Sequence, residues 1–337
     1  MIKIENSNLD AIAFEYKMAI FNWLKYGKKT KDETKWEDEL QIQIESYNDD
    51  LLKNMLNYIW MDLGSLIVSE PDELKRKIID FDNIFRLKIN ESDENKKSFE
   101  DLKDIMENLY KRFFNHTLYK IPGTKKNMGS KEYEGFHYGE WLAKKLNVNV
   151  CPYCNRQYTF TVNSTNGKTR PQFDHFHPKS IFPYLALSFY NLVPSCPTCN
   201  HLKGEKIIDI NPYDKKFGDD YKIRLATKDK KDVRTTEWVL EKNNIDILFS
   251  NDNENIKKLV LTEVYNNHID YVEEIIDKAQ AYNSTYYNSL IDSYKGLGKQ
   301  ASEIDRFVWG AYLEDAEHWK RPLSKLTRDI LEQLEIK

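Results

Sequence analysis

The sequence predicts an α+β protein, mostly α-helical, in three parts. These are an N-terminal helical region over 1–130, a central module over 131–214 that carries strands and cysteines, and a mainly helical C-terminal region over 215–337. Three observations predict it. Apolar residues recur at three- and four-residue spacing in LDAIAFEYKMAIFNWL, WEDELQIQIESYNDDLLKNMLNYIW and SFEDLKDIMENLYKRFF, the period of helices with one buried face. The middle then changes to short aromatic and β-branched runs, QYTFTV and TRPQFDHF, joined by NSTNGK, whose Asn166-Gly167 step signals a turn, so a β-hairpin is expected there. Finally, all four cysteines lie in that middle as two Cys-x-x-Cys pairs.

Taken in order, Pro71 sits where a helix would start, with Ser69 as the expected cap and acids in the first turn. The segment IPGTKKNMGSK, with Pro122, Gly123 and Gly129, marks the boundary before the middle, and KEYEGFHYGEWLAKKL reads as a helix leading to the first cysteine pair. Beyond Asp214, YKIRLAT and TEWVLE are strand candidates, followed by helices through IKKLVLTEVYNNHIDYVEEIIDKAQAY to SKLTRDILEQL. No internal repeat is evident.

With 31% charged and 40% hydrophobic residues the composition is that of a folded globular chain. It contains no apolar run of about 18 residues that could span a bilayer, so no membrane association is expected. The N-terminus carries acids early and lacks the basic start and small-residue cleavage site of a secretory signal, which places the protein in the cytoplasm. The net charge of −4 hides an asymmetry, because Asp101 to Ile210 holds 15 Lys and Arg against 9 Asp and Glu. A basic middle between acidic flanks fits a central polyanion site, although lysines spread over solvated helices give the same balance.

Cys151 and Cys154 form CPYC, and Cys196 and Cys199 form CPTC. Two such knuckles turn four thiolates toward one point and can close a tetrahedral shell around a structural Zn²⁺. A pair of redox dithiols normally accompanies a βαβ pattern, which is missing here, and disulfides do not persist in a reducing cytosol. The spacer from Asn155 to Ser195 is longer than that of a simple zinc ribbon, so the metal would staple the two ends of an inserted hairpin, loop and helix. Within it, FDHFHPKS sets Asp174 beside His175, with His177 two residues on and Pro178 ending the strand; FYNLVPS supplies Asn191, and the second knuckle runs into Asn200, His201 and Lys203.

The run CPYC, FDHFHPKS, FYNLVPSCPTCNHLKG resembles an HNH nuclease of the ββα-metal type, in the subgroup whose catalytic unit is bracketed by two Cys-x-x-Cys knuckles, over Cys151 to roughly Asp209. Its wording is similar also to bacterial anti-phage HNH effectors of the Septu type, which work with an ATPase partner. The resemblance implies that His175 is the general base, that Asp174 and Asn200 ligate the catalytic metal, and that Asn191 braces the loop. Independently, phosphodiester hydrolysis needs an activated water, a cation at the phosphate and positive groups nearby. A neutral imidazole can take the proton from water, and two hard oxygen ligands suit Mg²⁺ or Mn²⁺ while leaving room for water and phosphate. Lys179 and Lys203 are candidate phosphate contacts, and His177 a candidate phosphate contact or supporting group. The residue after the last cysteine is asparagine where the family name has histidine; His201 follows at once, and adjacent helical residues point about 100° apart, so only one of the two can face the metal well.

The expected activity is therefore metal-dependent endonucleolytic cleavage of nucleic acid, DNA rather than RNA by resemblance alone, in an anti-phage role with an ATPase partner. Two rivals remain: a non-catalytic zinc-knuckle module that binds nucleic acid or protein, which does not need Asp174-His175, and an RNA or tRNA nuclease of the same fold, distinguished only by 2′-hydroxyl contacts. His116, His137, His268 and His318 read as structural. Tyr153, Arg156 and Tyr158 beside the first knuckle read equally as nucleic-acid contacts or as packing and salt bridging.

Overall fold

A computed structural model of the chain describes residues 1–26, 44–45, 47–116, 136–214, 221–229, 233, 244–251, 253–282 and 284–336. Helices dominate, with three small antiparallel sheets. In the N-terminal region α1 (Leu9–Tyr26) and α2 (Asp50–Val68) pack through Ile12, Tyr16, Ala19, Ile20 and Trp23 against Leu52, Met55, Leu56, Ile59 and Leu63. Of the stripe read over WEDELQIQIESYNDDLLKNMLNYIW only the part from Asp50 is this helix, since residues 47–49 are not helical, with Asp49 as its N-cap, and 36–43 and 46 lie outside the described residues. Helix α3 (Pro71–Phe81) does begin with proline at its first position, but Glu70 is its N-cap residue. Ser69 instead closes α2, its N–H and hydroxyl both donating to the Ser65 carbonyl. A π-helical turn over Asp82–Arg86 carries the chain on, and Phe81 stacks on Tyr184 of the central module with centroids 4.0 Å apart.

Helix α4 (Asp93–Asn115) connects the N-terminal region to the centre. Ser92 caps it by accepting from the Asn95 N–H, and its last turns bring Glu107, Tyr110, Phe113 and Phe114 to the central module. Phe114 meets Phe173 edge-on at 5.4 Å, and Phe113 stacks on Tyr138 at 4.4 Å. Tyr138 opens α5 (Tyr138–Leu146), whose N-cap His137 pairs reciprocally with Glu140. The boundary proline and glycines at 122, 123 and 129 lie outside the described residues.

The hairpin expected around Asn166-Gly167 exists, but it is short and exposed. Strands β1 (Val162–Ser164) and β2 (Gly167–Thr169) pair through Ser164 and Gly167, so the turn is Thr165–Asn166. The aspartate-histidine strand is not part of it. Strand β3 (Gln172–His175) pairs with β4 (Leu192–Ser195), whose residues lie in FYNLVPS, a stretch to which the sequence reading assigns no strand. The reason is burial: β4 is buried throughout and β3 from Phe173 on, whereas β1 and β2 carry mostly polar residues. Helix α6 (Pro197–Lys203) follows β4 directly.

In the C-terminal region YKIRLAT forms β5 (Ile223–Thr227), paired with β6 (Ile245–Phe249), a strand not anticipated; TEWVLE lies outside the described residues. The free edge of β5 is covered by α12 (Ser324–Gln333), the last of the helices after β6: α7 (Glu254–Lys258), α8 (Leu261–Asn266), α9 (Ile269–Ala281), α10 (Ser284–Gly296) and α11 (Ala301–Trp309). Asp329 accepts the Ile223 N–H at 2.8 Å and Gln333 accepts the Leu225 N–H at 2.7 Å. Four helical residues rise about 6 Å and two strand residues about 6.7 Å, so side chains at i and i+4 match alternate backbone groups of the edge. One apolar core runs from Met1 to Leu334 and takes in all four cysteines.

Candidate active site

The two knuckles meet at the base of the β3–β4–α6 unit. Cys151 and Cys154 lie in a tight turn in which the Asn155 N–H donates to the Cys151 carbonyl at 2.7 Å with Asn155 in the left-handed region, at φ 47°. Cys196 is the N-cap of α6, and its sulfur accepts the Cys199 N–H at 3.4 Å. All four sulfurs are buried, unpaired by disulfide and within 4.8 Å of one another, with Cys154 and Cys196 at 3.9 Å. A tetrahedral shell at about 2.3 Å from zinc has edges of about 3.8 Å, so the donor set and its spacing fit Zn²⁺. Burial pushes the Cys151 thiol well up, and four facing thiolates need a cation to share the site.

Above this base the register sets Asp174 opposite Val193 and His175 opposite Leu192. A cleft at the end of β3 is lined by Tyr110, Asp174, His175, Lys179, Asn200 and Glu205, with an internal volume of about 260 Å³. The His175 ring is nearly buried, lies edge-on to Tyr110 at 4.7 Å, and has Nε2 3.0 Å from the Ala186 carbonyl. A carbonyl can only accept, so Nε2 carries the proton and Nδ1 is the basic nitrogen. Burial pushes the ring's pKa down to about 3, opposed by that carbonyl, and the imidazole is neutral at physiological pH.

Asp174 faces inward. Its two oxygens each lie 3.2 Å from Lys203 Nζ, and one accepts the Tyr153 hydroxyl at 2.6 Å. Lys203 is fully buried at the C-terminal end of α6 and also donates to the His175 carbonyl at 2.7 Å. Burial raises the Asp174 carboxyl and lowers the Lys203 ammonium, each opposed by the other's charge. The expectation that Lys203 reaches phosphate is corrected: full burial and three acceptor contacts hold it inside. Asn200, one turn earlier on α6, lines the cleft and donates Nδ2 to Gln172 Oε1 at 2.7 Å, which leaves its amide oxygen as the atom available to a cation.

Asn191 is completely buried. Its oxygen accepts the His177 N–H at 2.7 Å, and its Nδ2 donates to the carbonyls of His177 and Leu185 at 3.1 and 3.0 Å. It thereby ties together both ends of the loop that carries Ala186 toward His175. The His177 ring points away from the cleft, between Phe176 at 5.0 Å and Phe182 at 5.6 Å, and this packing corrects its expected phosphate contact. Lys179 stays at the cleft, bonded to Glu107 of α4 at 2.6 Å, while His201 is exposed on α6 and does not line it.

Residues 151–206 match the family model described as HNH endonuclease. The chain carries an HNH endonuclease domain. No curated protein and no solved structure gave a significant match. Within the HNH domain, the hard oxygens of Asp174 and Asn200 at one cleft, with exposed Glu205 beside them, are a donor set that fits a divalent cation such as Mg²⁺ or Mn²⁺. Sequence reading missed Tyr153 as the partner of Asp174, Glu205 at the rim and Tyr110 against His175. Glu205, two residues past Lys203 in CNHLKGE, was within reach of sequence reasoning. Tyr110 was not, because a helix more than sixty residues away supplies it.

Arg156 donates to His268 Nε2 at 2.7 Å and serves packing of the C-terminal region, while Tyr158 is half exposed and stacked on Phe160 at 4.4 Å. Among the described residues no helix is long and apolar enough to cross a membrane.

Proposed function

We propose that the protein is a metal-dependent endonuclease that hydrolyses nucleic-acid phosphodiester bonds, with DNA as substrate. The observation that carries this reading is His175: a neutral imidazole whose Nε2 is committed to the Ala186 carbonyl, which leaves Nδ1 to act as a base, on the strand end next to Asp174 in the cleft that Asn200 also lines. A non-catalytic zinc-knuckle module has no use for that arrangement.

In the proposed reaction His175 Nδ1 accepts a proton from water in line with the scissile phosphorus, and the Ala186 carbonyl stabilises the imidazolium that forms. Asp174 and Asn200 would hold a divalent cation, which would offset charge on the phosphate and the leaving oxygen. Tyr153 and Lys203 fix the Asp174 carboxylate, and Lys179 at the rim offers a positive charge to the flanking phosphate. Asn191 acts by positioning, through the loop it closes. The unit that does this chemistry is the central module, 131–214, with the two helical regions supporting it. On the similarity of motif wording to anti-phage HNH effectors, we extend the proposal to a role in bacterial defence with an ATPase partner; a pull-down from native extract that recovers the nuclease alone counts against that extension.

The test is incubation of purified protein with plasmid, single-stranded DNA and RNA, in Mg²⁺, Mn²⁺ or EDTA, beside His175→Ala. Metal-dependent cutting of DNA by the wild type, lost in the variant, is expected. Equal cutting by both proteins removes His175 from the mechanism, and cutting of RNA alone replaces the DNA assignment.

A further inference from the structure

Among the described residues that line the cleft Asp174 is the buried carboxylate, and Lys203 offsets its charge. Among the described residues, the other charged side chains that line the cleft are Lys179, bonded to Glu107 of α4 at 2.6 Å, and Glu205, exposed at the rim. Two lysines, Lys179 and the buried Lys203, thus stand against the two lining carboxylates, Asp174 and Glu205, and Asn200 contributes a neutral amide. Sites that hold Mg²⁺ or Mn²⁺ by protein alone rely on an excess of carboxylate charge; with fewer, the substrate's phosphates complete the shell. Lys203 cannot swing away to alter this balance, because its ammonium is fully buried and also bonded to the His175 carbonyl.

We propose that Lys203 is a built-in counter-ion that keeps the cleft from loading a divalent cation by itself, so that the cation and the nucleic-acid phosphate bind as a linked pair. The inference rests on the nuclease reading for the identity of the phosphate. Linkage is reciprocal, so nucleic acid tightens cation binding by the factor by which the cation tightens nucleic acid. Lys203 is a positioning residue here: it touches neither substrate nor cation, and it sets the charge and orientation of the carboxylate that does.

The experiment is an Mn²⁺ titration of the zinc-loaded full chain, with free Mn²⁺ read by electron paramagnetic resonance. It uses wild type, Lys203→Met, Lys203→Arg, and the non-cleaving His175→Ala protein with and without a duplex oligonucleotide, after subtracting Mn²⁺ held by the oligonucleotide alone. Wild type by itself should bind weakly, and duplex should tighten binding to His175→Ala by about tenfold or more. Lys203→Met should tighten binding without nucleic acid by roughly tenfold, the scale of one unit charge removed a few ångströms away in a partly wet site, and Lys203→Arg should behave as wild type. Lys203→Gln carries the same test if the methionine protein loses its near-UV circular dichroism. His175→Ala protein that binds Mn²⁺ as tightly alone as with duplex overturns the linkage, and a neutral residue at 203 that leaves affinity unchanged or weaker overturns the counter-ion. If no nucleic acid is bound or cut in any metal, the nuclease reading fails, while the variants without nucleic acid still decide what Lys203 does.

Discussion

Replacing Asn191 by alanine tests the mechanical basis of the site. The side chain is fully buried and makes three hydrogen bonds, at 2.7, 3.0 and 3.1 Å, to backbone groups at the two ends of one loop. Truncation strands one N–H and two carbonyls where water has little access. At about 1 to 1.5 kcal/mol for each lost bond, plus a small cavity, the cost is about 3–5 kcal/mol. In a chain of this size that lowers the melting temperature by roughly 4–7 °C. Asn191→Asp should fare no better than alanine, because it keeps the acceptor for His177 but sets a carboxylate against two carbonyls. The loop also carries the Ala186 carbonyl that fixes the His175 ring, so cleavage should fall about a hundredfold even at temperatures where the variant stays folded, the scale of a misplacement of about 1 Å. Thermal melts and plasmid cleavage at 20 °C read both effects. A variant that melts within 1 °C of wild type refutes the brace, and one that is destabilised yet cuts at the wild-type rate refutes the link from loop to base.

Three further outcomes follow from the same geometry. Metal analysis should find about one zinc per chain, and Cys196→Ser should lose it together with a cooperative melt, since the second knuckle is also the cap of α6; a zinc-loaded, fully folded serine variant excludes the staple. Burial lowers His177 and His318 to about 4 each, so the unfolded chain binds more protons than the native one between pH 4 and 6.5. Stability should therefore be complete above pH 6.5 and fall as pH drops through that window, by up to about 1.4 kcal/mol per pH unit for each histidine, and denaturant melts at pH 7, 6 and 5 with equal midpoints contradict it. Asp329→Ala leaves Lys325 and the Ile223 N–H without their buried acceptor, removes one of the three carboxylates paired with Arg328, and should cost about 3–5 kcal/mol by urea titration, whereas a change below about 1 kcal/mol shows that α12 does not hold the edge of β5.

What the sequence discloses follows interaction range. The helical stripes of α1, α2 and α4 repeat within a few residues of themselves and are legible, as are the cysteine knuckles, whose fixed spacing encodes their shared focus. Strand pairing is not local. FYNLVPS and QFDH both look like ordinary short segments, and only their burial beside the knuckles makes them partners, while the conspicuous Asn166-Gly167 hairpin marks an exposed excursion. The same limit explains Lys203: a lysine after a cysteine knuckle reads as a surface cation, because nothing in LKGEK states that Asp174 and the His175 carbonyl wait behind it. Of the twelve residues singled out for the site, the four cysteines converge on one point and Asp174, His175, Lys179 and Asn200 line one cleft, whereas Lys203, Asn191 and His177 turn to the interior and His201 stays outside.

The first knuckle also receives the rest of the chain. Asn155 donates to the His318 carbonyl and accepts the Lys325 N–H with its side chain, and its own carbonyl accepts the Leu323 N–H; Tyr265 bonds the Cys154 carbonyl and the Ile2 N–H bonds the Pro152 carbonyl. These bonds are made to the turn that presents Cys151 and Cys154, so the shape the metal requires is the shape the C-terminal region docks against. Zinc loss then loosens that docking as well as the β3–β4–α6 unit, and Asn155→Ala should loosen the metal in return. A chelator competition that releases zinc from Asn155→Ala no faster than from wild type would show the two to be independent. Faster release would place the C-terminal helices within the mechanical frame of the site, although no side chain after Glu205 lines the cleft among the described residues.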